Sequence, residues 1–266
     1  MIEVVFNGYQ GRMGRTVVPA LDGAEDIEVV ALCDIMASED SLTLPSGKQV
    51  PCFTDLEQAI KASQAQVLVD FTQPSAVEAS LRVALPLGVD CVIGTTGVSA
   101  ETFAELIGLA PAGTALFCAP NFALGAVLMM AFASQAAAYF SDVEIIEAHH
   151  NGKKDAPSGT AVTTARQMAA IRAQAGVSSS SPGRESELAG YEGARGTAVD
   201  GIPVHSVRAA GFVATQEVIL SSPGELLRIT HDNIDRTSYL PGILLAVRSV
   251  QGLSGLVIGL ENLIEL

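Results

Sequence analysis

Positive charge is scarce in this chain. Its 266 residues carry 15 lysines and arginines against 29 aspartates and glutamates, a formal net charge of −14 with a pI near 4.6. Such a surface repels phosphate backbones and anionic lipid, which argues against nucleic acid and membranes as partners at neutral pH and leaves small molecules. Cysteine is scarce too. Cys33, Cys52, Cys91 and Cys118 are widely spaced, with no C-x-x-C pair and no histidine at ligand spacing. Neither a zinc or other metal site nor a disulfide framework is therefore expected. Three of the four lie in apolar runs (ALCDI, DCVIG, ALFCAP) and read as small buried hydrophobes. No uninterrupted apolar run is long enough to span a bilayer, and MIEVVFNGYQGRMG lacks the charged head, apolar run and cleavage site of a signal peptide, so a cytoplasmic protein is expected. Tryptophan is missing and no internal repeat is visible, yet 48% of the residues are hydrophobic and mean hydropathy is positive. The chain can bury a large core in one or two domains.

What is present is a rhythm. Through the first 120 residues, short β-branched runs alternate with amphipathic stretches, the pattern of βαβ units on a doubly wound parallel sheet. The runs are IEVVFN (2–7), IEVVALC (27–33), QVLVDF (66–71), DCVIG (90–94) and TALFC (114–118), with helices expected to begin near Arg12, Asp55, Pro74 and Ser99. Pro74 follows the strand end DFTQ, and proline is tolerated in a first helical turn. Beyond Asn121 the pattern changes. GAVLMMAFASQAAAYF (125–140) reads as a long buried helix, VEIIEAH (143–149) as a strand, and the stretch from Ser158 to about Ala173 as a helix. GVSSSSPGRESELAGYEGARG (176–196) has no apolar periodicity and reads as a mobile loop. HSVRAAG, TQEVILS and ELLRITH then form strands of an open, mixed or largely antiparallel sheet; a helix from about Asp235 to Val250 and the tail LVIGLENLIEL close the chain.

Between the first strand and the first helix, VVFNGYQGRMGR sets Gly8, Gly11 and Gly14 three residues apart, with Tyr9, Gln10, Arg12 and Met13 between them. Glycines there permit positive φ, let a pyrophosphate approach the backbone and leave helix N–H groups pointing at it. The spacing departs from G-x-G-x-x-G, and a tight turn without a ligand is the competing reading. Position favours a dinucleotide: the second strand ends in Asp34, about 20 residues after Gly14, where a carboxylate accepts from an adenosine ribose. That carboxylate repels a 2′-phosphate, Ile35 follows it, and the next basic residue is Lys48, so only Arg12 and Arg15 could offset one. The sequence leans to NADH over NADPH. Three further strand ends offer small or hydroxylated residues of the kind that wall a nicotinamide crevice: Phe71-Thr72, Gly94-Thr95-Thr96-Gly97, and Cys118-Ala119-Pro120-Asn121-Phe122.

The densest chemistry is EAHHNGKKDAPSGTA (147–161). It holds two of the chain's four histidines, His149 and His150, and two of its four lysines, Lys153 and Lys154. Together with GYQGRMGR, DFTQPSA, IGTTG and APNFALG, this stretch closely resembles the dihydrodipicolinate (4-hydroxy-tetrahydrodipicolinate) reductase family, over nearly the full length of the chain. The resemblance implies a Rossmann domain over 1–121 completed by 236–266, a substrate and tetramerisation domain over 122–235, a homotetramer, and NAD(P)H-dependent reduction of a cyclic dicarboxylate. It implies His149 as proton donor, His150 and Lys153 as substrate ligands with Lys153 also an acid, and Thr96 reaching substrate from the cofactor domain. Ser158, Gly159 and Thr160 would bind a carboxylate at a helix start, and Arg236 and Tyr239 would lie near the nicotinamide. Such roles suit the chemistry, since two carboxylates need cationic and amide donors and an enamine carbon needs a proton as hydride reaches its neighbour. Asn151-Gly152 is less basic than the family's usual loop, Lys154 reads as a solvated neighbour, Asp155 as a loop-orienting partner of a lysine, and His205 and His231 as structural. Two alternatives remain at this point: an aspartate or homoserine dehydrogenase on the same plan, which leaves HHNGKKDAPSGT unexplained, and an NAD(H) sensor without turnover, which would carry a basic DNA-binding segment that the sequence lacks.

Overall fold

The computed structural model describes residues 1–177 and 193–265. Most of the 176–196 stretch read as a mobile loop lies outside the described residues. The chain divides into two compact units, one of Met1–Leu124 with Arg236–Leu266, the other of Gly125–Asp235.

The first unit runs β1 (Ile2–Asn7), α1 (Gly14–Asp22), β2 (Ile27–Cys33), β3 (Ser41–Thr43), β4 (Gln49–Phe53), α2 (Leu56–Ser63), β5 (Val67–Asp70), α3 (Pro74–Ala84), β6 (Asp90–Ile93), α4 (Ala100–Ile107) and β7 (Ala115–Cys118). The second contains α5 (Leu124–Ala136, whose first residue belongs to the first unit), β8 (Asp142–His149), α6 (Gly159–Gln174), β9 (Thr197–Val199), β10 (Ile202–Arg208), β11 (Ala214–Ser222) and β12 (Glu225–Asn233). A 3-10 turn (Arg236–Tyr239), α7 (Leu240–Val250) and β13 (Gly255–Ile258) return to the first unit.

In the first unit the strand order is β13-β7-β6-β5-β1-β2-β4-β3, parallel throughout except for the β3–β4 hairpin. β5 and β7 are buried at every position, as strands covered on both faces by helices must be. The helix starts follow local chemistry. Asp55 accepts the Gln58 N–H at 2.8 Å, Ser99 accepts the Thr102 N–H at 3.1 Å, and Pro74 is the first residue of α3. α1 begins at Gly14, two residues later than Arg12, and no described side chain caps it. The β3–β4 hairpin was not expected. It is short, carries Pro51 and turns through Gly47 at φ +89°, so it presents no run long enough to show a period.

The second unit is a mixed sheet, order β12-β11-β8-β10-β9, in which β10 runs parallel to β8 and the other neighbours are antiparallel. Ala133, Val143, Ile145, Ala165, Met168 and Val218 belong to its core. α5 stops at Ala136, not Phe140, and a buried side chain from α6 holds the segment after it. Arg172 of α6 donates to the carbonyls of Ala137 (3.3 Å), Phe140 (2.6 Å) and Ser141 (2.7 Å), orphan acceptors in the turn that follows the helix. Strand alternation sends Val143, Ile145, Glu147 and His149 to one face of β8 and Glu144, Ile146 and Ala148 to the other.

Candidate functional site

Two groups of side chains, one in each unit, carry chemistry.

In the first unit the loop from Asn7 to Gly14 is built so that backbone fills the space side chains would occupy. Gly8, at φ +86°, donates to the Cys33 carbonyl at 2.7 Å, and a Cβ on it would stand 2.9 Å from the Thr72 methyl. A Cβ on Gly14 would collide with the backbone of Tyr9 and stand 2.5 Å from the Gly8 carbonyl oxygen. Gly11 donates to Gly8 at 3.1 Å, tightening the turn. Asp34, at the end of β2, accepts from the Gln10 N–H (3.1 Å) and the Met36 N–H (3.0 Å), so its carboxylate is held against the glycine loop. Arg15 donates to the Gln10 carbonyl at 3.0 Å, whereas Arg12 is exposed. Tyr9 is buried, its hydroxyl 3.4 Å from Glu39, and burial pushes its pKa up to about 12. A cavity of about 450 Å³ lies beside this loop, lined by Tyr9, Gln10, Arg15 and Glu39 among others.

The neighbouring strand ends are tied together by groups the sequence did not single out. Buried Asn7 donates to Asp70 at 2.8 Å, and the other oxygen of Asp70 accepts from the Thr72 N–H (2.9 Å) and hydroxyl (2.6 Å). The Phe71 ring stacks on Phe6, tilts against Phe122, and occupies the place of a Cβ on Gly94. Thr95, next to Thr96 at the end of β6, has a buried hydroxyl without a partner among the described residues. Asn121 accepts from the Ala123 N–H at 2.9 Å. Ala119 and Pro120 follow β7, and burial pushes the Cys118 thiol up to about 12, which leaves it inert. Arg236 opens the 3-10 turn that precedes α7. A glycine cradle, an uncapped helix start, a carboxylate at the end of β2 and an orphaned hydroxyl at the end of β6 are groups of the kind that hold a dinucleotide.

In the second unit the central group is a fully buried carboxylate. Glu147 accepts two N–H groups from Arg208 (2.8 and 2.9 Å), the Ser158 N–H (3.3 Å) and His149 Nδ1 (2.6 Å). Burial would raise its pKa, but hydrogen bonds from Arg208, Ser206 and His149 and the charge of Arg208 outweigh that and leave it below the usual glutamate value. His149 is lowered, chiefly by desolvation and further by the charges of Lys153 and Arg208, with Glu147 opposing. Lys153 pairs with Asp155 at 2.8 Å, and that lysine holds the Asp155 carboxyl below its ordinary value. His150 and Lys154 are exposed, and the Asn151-Gly152 turn is closed by the Lys153 N–H donating to the His150 carbonyl at 3.1 Å.

Ser158 caps α6, its hydroxyl accepting from the Ala161 N–H at 3.3 Å, while its own N–H is spent on Glu147. The Gly159 and Thr160 N–H groups and the Ser158 hydroxyl proton are therefore the donors of this helix start left to meet an anion. Beneath them Gln216 donates to the Thr164 hydroxyl at 2.9 Å. His205 is paired with Glu144 at 2.8 Å on the opposite face of the sheet, and His231 packs against Gly125 with burial lowering its pKa. Sequence reasoning missed Glu147 and Arg208 as a pair. The signal available was the two-residue spacing of Glu147 and His149 on a strand; Arg208 is 61 positions away and carries none. No cluster of three or more metal-ligating side chains occurs among the described residues, and none of their helices is long and apolar enough to cross a membrane.

The chain is similar to proteins of known activity along its whole length. The family "Dihydrodipicolinate reductase, N-terminus" matches residues 2–122, and "Dihydrodipicolinate reductase, C-terminus" matches 125–264. A 4-hydroxy-tetrahydrodipicolinate reductase of Mycolicibacterium smegmatis is 44% identical over 261 residues, 97% of each chain. One from Geobacillus thermodenitrificans is 44% identical over 268 residues, 99% of each. The solved structure of a dipicolinate-bound dihydrodipicolinate reductase from Paenisporosarcina sp. TG-14 superposes with a TM-score of 0.84 at 40% identity, covering 99% of this chain and 100% of that one.

Proposed function

Because this chain belongs to the dihydrodipicolinate reductase family, we propose that its two side-chain groups divide the work of one reduction, the first unit binding the dinucleotide and the second the dicarboxylate. The protein is an NAD(P)H-dependent oxidoreductase that reduces 4-hydroxy-tetrahydrodipicolinate to tetrahydrodipicolinate, a step of diaminopimelate and lysine biosynthesis. The observation that carries the site assignment is the buried Glu147–His149 pair beside Lys153 and the start of α6. That arrangement supplies a proton donor, a cation and amide donors, the groups a dicarboxylate accepting a hydride and a proton requires. The bound nicotinamide supplies the hydride. His149 donates the proton, Lys153 and His150 hold carboxylate oxygens with Lys153 also serving as an acid, and Ser158, Gly159 and Thr160 with Thr96 complete the substrate contacts. Gly8 to Met13, Asp34, Phe71, Gly94 to Thr96, Cys118 to Asn121 and Arg236 form the cofactor site.

The finer reading of the cofactor is NADH, supported by an Asp34 carboxylate held against the glycine loop with no basic residue beside it in sequence. The assembly proposed is a homotetramer formed through the open face of the second sheet, which leaves Ile146, Val207 and Leu226 exposed. A cytoplasmic location fits four unpaired cysteines. A dehydrogenase of aspartate or homoserine type and a non-catalytic sensor are both disfavoured, because the family match extends over the second unit as well as the first. The deciding experiment supplies the product of dihydrodipicolinate synthase in a coupled assay and follows loss of NADH absorbance. Turnover that pyridine-2,6-dicarboxylate inhibits in competition with substrate supports the reading; absence of turnover with both cofactors overturns it.

A further inference from the structure

We propose that Glu147, clamped by Arg208, is the positioning residue of this site, fixing His149 in the tautomer that carries hydrogen on Nδ1 and tying the start of α6 and the lysine loop to one carboxylate. The inference rests on the assignment of His149 as proton donor. Position 147 continues the row of Val143 and Ile145, and an aliphatic side chain there would extend the core. A buried charge in its place is costly unless it is paired and hydrogen-bonded, so its presence needs a cause other than stability.

Its contacts supply the cause. Oε1 accepts from Arg208 Nη2 and Ser158 N, and Oε2 from Arg208 Nη1 and His149 Nδ1. A carboxylate can only accept, so Nδ1 must be the protonated nitrogen and Nε2 the one free to act. Arg208 Nη2 also donates to the Asp155 carbonyl at 2.6 Å, and the Asp155 side chain pairs with Lys153. One buried anion thereby sets the proton donor, the helix start and the lysine relative to one another. In the transfer step the Nε2–H bond of the imidazolium breaks, the proton goes to the substrate carbon, and the electron pair stays on Nε2. The neutral ring keeps its Nδ1–H on Glu147. The charged groups facing His149 are Glu147 from its own strand, Arg208 from β10 and Lys153 from the loop; the two cations disfavour the imidazolium and Glu147 offsets them.

Glu147→Gln tests this, because an amide presents one acceptor and one donor where the site has donors on both sides. If its NH₂ faces His149, Nδ1 must become the acceptor and the ring must shift to the Nε2–H tautomer. The expected result is a kcat lower by about 10²-fold, near the lower end of what a positioned acid contributes, with NADH affinity unchanged and the limb of the pH–kcat profile that reports His149 moved to lower pH. ¹⁵N chemical shifts of His149 should report Nδ1–H in the wild type and loss of that tautomer in the variant. Wild-type kcat with an unmoved limb, or an Nε2–H tautomer in the wild type, overturns the proposal. Should Glu147→Gln fail to fold, Arg208→Lys keeps a cation but removes the fork and the Asp155 contact. A raised substrate KM with the Nδ1–H tautomer retained supports the clamp, and unchanged kinetics overturn it. Failure of the wild type to turn over substrate would count against the reaction, whereas the tautomer is read without substrate.

Discussion

At the scale of single residues, the proposed chemistry separates by unit. His149→Ala and Lys153→Ala should each lower kcat by about 10²–10⁴-fold, the range for loss of a positioned acid, while NADH affinity measured by fluorescence titration stays unchanged. Lys153→Ala should also raise substrate KM, since it leaves a carboxylate unpaired. Near-full turnover with lost NADH binding would reverse the assignment. Asp34→Ser should act the other way, weakening NADH and leaving the chemical step intact; a strong wild-type NADPH preference abolished by Arg12→Ala would count against Asp34 as the selector. The pH dependence of stability also follows from residues. Burial lowers both His149 and His231, so the unfolded chain takes up their protons first as pH falls. The stability they contribute is present above the unfolded value of about 6.5 and is lost as pH falls below it through their lowered folded values. Urea midpoints measured downward from neutrality should fall through that window, and His231→Gln should shrink the fall. The titratable stretch announced itself by composition, because His149, His150, Lys153 and Lys154 stand in a chain poor in positive charge. Glu147 stood at the head of the same stretch unremarked, because its role depends on burial and on Arg208, which only the sheet brings to it.

Elements whose starts are fixed by one side chain were the most legible. Asp55, Pro74, Ser99 and Ser158 each begin or cap a helix where local chemistry places it. Elements that depend on a distant partner were not. The segment after α5, which ends four residues before Phe140, is held through its carbonyls by Arg172, far along the chain, and the β3–β4 hairpin pairs with β2 at Leu32↔Cys52 and Cys33↔Phe53. The glycine loop lies between these cases, since its spacing suggested a ligand while the reason for each glycine is spatial. Gly14 has no room for a Cβ against the Gly8 and Tyr9 backbone, whereas a Cβ on Gly11 would meet only the Gly8 carbonyl oxygen at 3.2 Å. Gly14→Ala should therefore force α1 away from β1, costing about 1–3 kcal/mol as overpacking does and weakening NADH binding. Gly11→Ala should change thermal stability less. Equal effects of the two substitutions on Tm would show that the helix absorbs the methyl group and that the close approach at Gly14 is not a constraint.

For the molecule as a whole, the question is what covers the second sheet. One face packs against helices, and the other carries Glu144, Ile146, Val207, Glu217, Ile219 and Arg228. Ile146 is 36% exposed, Val207 40% and Leu226 60%, values that mark apolar side chains left in water within a row of strands. Apolar patches of this kind, beside ion pairs such as Glu217–Arg228 and Glu144–Arg195, are characteristic of association surfaces. A net charge of −14 disfavours loose aggregation, so the proposed tetramer would form by this specific face meeting another copy of itself. Wild-type protein should elute as a tetramer in size-exclusion chromatography with light scattering. Ile146→Asp combined with Val207→Asp should lower the mass to that of a smaller species while leaving the circular dichroism spectrum intact, because neither side chain contributes to the core of its own unit. A monomeric wild type would sink the assembly outright. A tetramer that survives both aspartates would move the interface off this face, since two buried, unpaired carboxylates per subunit are more than an association surface tolerates.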